Sequence, residues 1–354
     1  MKKKARIFIA CLMLCMSAST AYGQGVVKRQ TQVDKGTHGN QKWVWVHGFH
    51  EGLAAVSDNW NRYGFVDKTG KLVIPCKSGH FYTFSEGLCR VWNNNERYGF
   101  MDKTGKVVIS CKWNWAEDFS EGLAMVRDAN EKNGFIDKTG KLVIPCQWNA
   151  AKGFSEGLAV VRDDNKSFFC IDKTGKEVFR FERCADYEWP TDFHEGVTTH
   201  KRKFIDKTGA VIPCQWKAMS GFSEGMAMVM DENEKCGFVD KTFKLVIPCK
   251  WNYNSETVFR NGRALVGDGE GRYGYLDNTG EVVIPCKWKG AEKFSEELAI
   301  VRDDDGKYGF IDTNGNVVIP CKWKLAESFC EGLAWVLDSH DNWHIIDKNG
   351  KNIK

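Results

Sequence analysis

The chain has 354 residues, 42% of them hydrophobic, and carries 50 basic against 46 acidic residues, a formal net charge of +4. Four of the basic residues, Lys2, Lys3, Lys4 and Arg6, lie within the first 23 positions, where there is no acid, so the remainder is balanced at 46 of each sign. That balance argues against a nucleic-acid binder, which shows a basic excess or stripe.

The first segment reads as a targeting signal. The basic cluster precedes an apolar run from Ile7 to Met16, and Ala21-Tyr22-Gly23 places small residues where a signal peptidase reads, ahead of Gln24. The run is about half of the roughly 20 apolar residues a transmembrane helix needs. The expectation is a secretory signal over 1–23 and an exported protein in the periplasm, at the cell surface or outside the cell. A lipid anchor on Cys15 is the rival, disfavoured by the bulk of Leu14 before it. Residues 24–40 are polar without a hydrophobic period and read as a disordered leader.

From residue 41 to 354 the sequence repeats itself nine times. The aspartate of a DKTG tetrapeptide recurs as Asp67, Asp102, Asp137, Asp172, Asp206, Asp240, Asp277, Asp312 and Asp347, 34 to 37 residues apart. An FSEGLA motif starts at Phe49, Phe84, Phe119, Phe154, Phe193, Phe222, Phe259, Phe294 and Phe329. A fixed period of this length marks an array whose units bury their apolar faces against each other, here one continuous domain. Units start near 41, 76, 111, 146, 184, 214, 249, 286 and 321. In the unit from Cys111 to Pro145, Glu121–Val126, Asn133–Asp137 and Lys141–Trp148 read as strands, the last running into the next unit. Asp137-Lys138-Thr139-Gly140 has the residues of a type I turn with a Gly bulge. Nothing has the sustained period of a helix. The prediction is an all-β array of nine hairpin units, as an open β-solenoid, with a closed propeller-like array as the alternative. The lysines of the DKTGK turns (Lys68, Lys71, Lys103, Lys106, Lys138 and Lys141) are expected to form a Lys-rich edge opposite acidic hairpin tips.

The motifs YGFVDKTGKLVIP (63–75), YGFMDKTGKVVIS (98–110) and YGFIDTNGNVVIP (308–320), with FSEGLA at 119–124 and 154–159, resemble the WG-containing repeat family of bacterial proteins. The resemblance implies an exported repeat scaffold and no particular reaction. Tyr replaces Trp before most of the glycines. The fifth unit is eroded: 13 residues separate Phe193 from Asp206 against 18 in the other units, and Lys203 holds the glycine position.

A residue used nine times builds a unit rather than catalysing a reaction, so the expected function is a non-catalytic binding or scaffold module for a protein or other envelope partner. Along the first of the unit's three predicted strands a small residue recurs while its successor varies freely, as in Arg90, Met125, Leu265 and Trp335. Alternation puts these on the other face, as candidate partner-binding positions. A column of Trp113, Trp148, Trp216, Trp251, Trp288 and Trp323 shares a face with Ile and Cys and reads as core, with glycan stacking as the alternative. Eight cysteines share one repeat position, from Cys76 to Cys321 and including Cys184, and read as small buried apolar residues or, in an oxidising compartment, as bridges between units. No cofactor is called for, no CxxC or Cys/His pair has zinc-ligand spacing, and there is no HExxH or nucleophile-elbow context for catalysis. A hydrolase is a distant alternative, and the eroded unit, with His194 and His200, is where an asymmetric site belongs.

Overall fold

A computed structural model describes residues 43–59, 62–78, 81–93, 95–182, 189–254 and 256–353; the signal and leader expected over 1–40, and Cys184, lie outside these. Each unit is a small antiparallel sheet of consecutive strands. In unit 3 they are Trp115–Ala116, Leu123–Arg127, Asn133–Asp137 and Leu142–Trp148. The fourth strand thus carries the Cys and Trp of the repeat, and the structural unit ends about three residues later than the sequence period suggested. Units 6 and 7 are joined into one sheet through Asn252 and Gly267. The described residues contain no helix.

Three local devices make the unit. The DKTG turn is as expected: Asp137 Oδ1 accepts from the amides of Thr139 and Lys141, and Gly140 follows at a φ of 83°. The hairpin between the first two strands is a two-residue type I′ turn. Ser120 and Leu123 exchange backbone hydrogen bonds around Glu121 and Gly122, at φ of 55° and 87°. The third device is a bulge. Phe135 pairs with Ile144, but Asn133 pairs with Trp148, so the fourth strand bows out around Pro145. Gly134 faces that bow, and a Cβ there would stand 2.5 Å from the Ile144 carbonyl oxygen.

Units stack face to face. One cluster joins Met125, Phe135 and Ile144 of unit 3 to Phe154, Ala159, Val161 and Ile171 of unit 4. Both faces of the second strand are therefore interior, and Ala124, Met125 and Val126 are all buried. Fourth strands make their principal contacts within their own unit and expose aliphatic pairs such as Leu142 and Val143, whereas first strands approach those of neighbouring units. First strands are inner and fourth strands outer.

The polar contacts between units also repeat. Glu86 of unit 2 accepts from the Gly122 amide of unit 3 at 3.0 Å and pairs with Lys138 at 3.0 Å, and Ser85 Oγ donates to the Phe119 carbonyl at 2.7 Å. The same contacts join the ends of the array. Glu331 of unit 9 accepts from the Gly52 amide of unit 1 at 2.8 Å and pairs with Lys68 at 3.0 Å. Cys330, in the serine position, donates to the Phe49 carbonyl at 2.7 Å, and Trp335 stacks on Phe49 with ring centroids 6.1 Å apart. The all-β hairpin array is what the structure shows, and of its two arrangements these contacts select the closed ring over the open solenoid. Of the six lysines expected along the turn edge, Lys68, Lys103 and Lys138 each meet the turn glutamate of the preceding unit, so their charge is locally balanced.

Candidate binding face at the ring centre

The second-strand residues proposed to meet a partner are interior. Arg90 is 5% exposed, Met125 2%, Leu265 0% and Trp335 2%. Alternation does send them to the face opposite the small residue, but in a stack that face meets the next unit. The small residue itself receives the neighbour's variable one: Ala159 packs in one cluster with Met125, and Ala54 with Trp335. Of the tryptophan column, Trp113, Trp288 and Trp323 are 7–8% exposed, and Trp148, Trp216 and Trp251 half-buried. Lysines lie over several of these rings, Lys112 on Trp113 at 4.9 Å and Lys322 on Trp323 at 4.8 Å. The eleven described cysteines are free. Cys76, Cys146 and Cys321 lie half-buried beside the hairpin tips of their own units, where burial first, then the Asp58, Asp128 and Asp303 carboxylates, push their thiols up.

Variation that reaches the surface sits on the first strands. Two residues before the motif phenylalanine stand His47, Tyr82, Glu117, Lys152, Glu292 and Glu327, different in kind from unit to unit. These strands converge. Asp192 of unit 5 acts electrostatically on Glu117 of unit 3, and His50 of unit 1 on Asp118 of unit 3, each across an intervening unit. The lining is rich in carboxylates. Burial pushes Glu117 up to about 7; the Arg90 guanidinium opposes this, while Asp192 and Asp118 reinforce it. Glu327 is also pushed up to about 7, by crowding from the surrounding protein and by Glu292, although solvent reaches it. Glu292 is raised by burial, against a hydrogen bond from Ser328 Oγ at 3.2 Å. Three cations answer these acids: Lys152 lies 3.3 Å from Asp192, Lys293 2.7 Å from Glu256, and Arg90 3.4 Å from Asp118. The Arg90 guanidinium also stacks 3.7 Å over Tyr82 and donates to the Ala116 carbonyl.

Aromatic residues flank this lining where the first strands begin. Trp45 is 38% exposed, and Trp115 and Trp189 are half-buried at the equivalent positions of units 3 and 5. Sequence reasoning passed over both sets because it sought variation on the five-residue strand that follows the motif glutamate, and the strand before that glutamate is only two residues long in most units. The usable signal was the irregular chemistry just before each phenylalanine. No group of His, Cys, Asp and Glu among the described residues is arranged to hold a metal ion. No described helix is long and apolar enough to cross a membrane.

With this geometry in view, a model of the WG containing repeat matches residues 63–96, 98–132, 134–166, 204–236, 237–269, 273–308 and 308–339, well over half of the chain. The chain belongs to this family. The matches omit 167–203, which spans Phe169 in the bulge-glycine position and most of the eroded fifth unit. No curated protein matches the sequence. Among solved structures it is similar to the computationally designed Ika8 protein, at 13% identity over 87% of this chain and 96% of that one, with a TM-score of 0.44. BamB from Moraxella catarrhalis aligns at 8% identity over 85% and 95% (TM-score 0.42), and the C-terminal WD40 domain of Sif2 at 9% over 86% and 95% (TM-score 0.42).

Proposed function

We propose that this WG-repeat protein is an exported, non-catalytic binding scaffold whose ring centre receives a protein partner carrying cationic side chains. The observation that carries the reading is that one repeat position on the inner first strands changes chemistry from unit to unit, as His47, Tyr82, Glu117, Lys152, Glu292 and Glu327. Acids outnumber cations in that lining. Arg90, held between Tyr82 and Asp118, is an internal example of a cation this surface accommodates. Export rests on the basic and apolar segments before Gln24, and absence of catalysis on the ninefold use of the conserved motif residues. Crosslinking pull-down from the native envelope tests the proposal. A partner should be captured by the parent and lost with Glu117→Gln/Glu327→Gln, whose melting should stay close to the parent's; capture unchanged by that pair contradicts it. A second reading, glycan stacking, is favoured by Trp45, Trp115 and Trp189 at the mouth. A glycan-array signal lost on Trp45→Ala supports that reading instead.

A further inference from the structure

Among the described residues, one hairpin tip reverses the charge of the array, and it lies in unit 5. In units 2–4 and 6–9 the tip between the second and third strands is built on an aspartate or asparagine. In unit 3, for example, Asp128 Oδ1 accepts from the amides of Asn130 and Lys132. In unit 5 the strands Val197–His200 and Lys203–Asp206 are joined by two residues only, Lys201 and Arg202, both left-handed with φ of 49° and 58°. Neither residue is suited to that conformation, so the turn holds backbone strain. It places Lys201, Arg202 and Lys203 in succession where the other units carry acid.

Beneath this tip is a cavity of about 40 Å³, lined by residues of units 4 and 5 that include Phe179, Arg180, Glu182, His200, Lys201 and Lys203. Such space exceeds what one water needs, about 10–15 Å³. His200 lines it at 3% exposure, and neither ring nitrogen has a hydrogen-bond partner among the described residues. The Glu182 backbone approaches the ring without forming a well-aligned hydrogen bond, and a buried imidazole so poorly partnered costs free energy unless something else meets it. Phe168 and Phe181 pack edge-on against the ring, at 6.0 and 5.4 Å, and fix its orientation. Burial holds its pKa below the ordinary value, partly offset by the Glu182 backbone. Two cations of the rim have exposed partners: Arg180 pairs with Glu177 at 2.7 Å and Lys203 with Glu182 at 3.0 Å. Such surface pairs are weak and can be exchanged for a better anion.

We infer that this cavity binds a small oxyanion, a phosphate group, with His200 donating to it from below and Lys201, Lys203 and Arg180 completing the charge around it. The site is distinct from the ring centre and does not depend on the function proposed there. It also gives the strained basic turn a purpose that packing does not supply.

The test is a titration of inorganic phosphate into the mature protein labelled at histidine Cε1, followed by NMR at constant ionic strength. The His200 resonance should move saturably with phosphate and stay still with chloride. Lys203→Gln should weaken binding at least about fivefold, consistent with loss of one charge-assisted contact. His200→Gln should abolish it; should that variant fail to fold, Lys203→Gln, at an exposed position, decides alone. Saturation by glycerol 3-phosphate as well supports the site and shows that an esterified group is accepted. A His200 signal unmoved up to about 10 mM phosphate, moved equally by chloride, or titrating identically in Lys203→Gln overturns the inference.

Discussion

Unit 3 keeps every element of the repeat, whereas unit 5 has lost its bulge glycine, its acidic tip and most of its fourth strand, yet both make the same contacts with their neighbours. Unit 5 still offers the Gly196 amide to Glu156 at 2.9 Å, the Phe193 carbonyl to Ser155 Oγ at 2.8 Å, and Lys207 to Glu156 at 2.9 Å. Its own Glu195 reaches Lys241 of unit 6 at 3.0 Å. What the ring requires of a unit is its face and its inner turn. The outer bulge and the tip are local constructions that unit 5 has abandoned without opening the array, and unit 4, with Phe169 in the glycine position, has given up the bulge there as well.

That comparison breaks first at the glycine. In unit 3 a Cβ on Gly134 meets a backbone oxygen at 2.5 Å, so Gly134→Ala should cost about 3 kcal/mol, an overpacking against atoms that cannot move alone. The matching position in unit 5 is already Lys203, and Lys203→Ala should change stability by under about 0.5 kcal/mol. Chemical denaturation of both variants measures the contrast; equal losses would mean that the bulge is not what the glycine serves. Truncating the stacked ring at the closing interface, Trp335→Ala, belongs to the same class, with an expected loss of about 3–5 kcal/mol.

A smaller effect is expected at the inner turns. Glutamate is poorly suited to the left-handed position it occupies in eight units, and the carboxylate's reach to the next unit explains its retention there. Unit 7 has Asn261 instead, and its side chain still accepts from the next unit's Glu297 amide at 3.2 Å. Glu121→Gln should lose about 1 kcal/mol, since a neutral acceptor replaces a carboxylate shared by Gly157 and Lys173. Glu121→Asn should lose less, because backbone strain is relieved. A Gln variant as stable as the parent would show that the glutamate contributes nothing to stacking.

Dependence on pH separates the ring centre from the turns. Glu117 and Glu327 are pushed up to about 7, so ionising them costs the folded state stability above that pH. As pH falls from about 8 toward 5 the folded chain takes up protons that the unfolded chain, with carboxyls near about 4.3, does not, and melting should rise. The turn glutamates Glu86, Glu156 and Glu331 have the opposite sign. Burial raises them, but the paired lysine and the neighbouring amides prevail and hold them low. Their contribution is present above the unfolded pKa and disappears as pH falls through the folded one. Melting should therefore peak near pH 5, and Glu117→Gln/Glu327→Gln should flatten only the limb above the peak. The smallest effect concerns the cysteines: with these thiols free, reductant should leave the melting temperature unchanged, and a drop of several degrees would reveal bridges.

Much of this was legible in the sequence. Asp137 and Gly140 announce their turn, Pro145 announces an outer strand, and the period sets the unit. Arg90, Met125, Leu265 and Trp335 misled because alternation reports two faces without saying that both can be buried; only the stacking of unit on unit decides that. Ring closure was hidden for a related reason. It depends on contacts 36 residues apart in sequence that recur, between units 9 and 1, at a separation of 279. The clue was a glutamate kept where a type I′ turn favours asparagine or glycine.

Closure is the central claim, and zero-length carbodiimide crosslinking of the monomeric fraction tests it with controls inside the same chain. Lys103–Glu51 and Lys138–Glu86 join adjacent units and should crosslink whether the array is open or closed. A closed ring predicts Lys68–Glu331 at a comparable yield. Recovery of the two internal crosslinks without Lys68–Glu331 would contradict it.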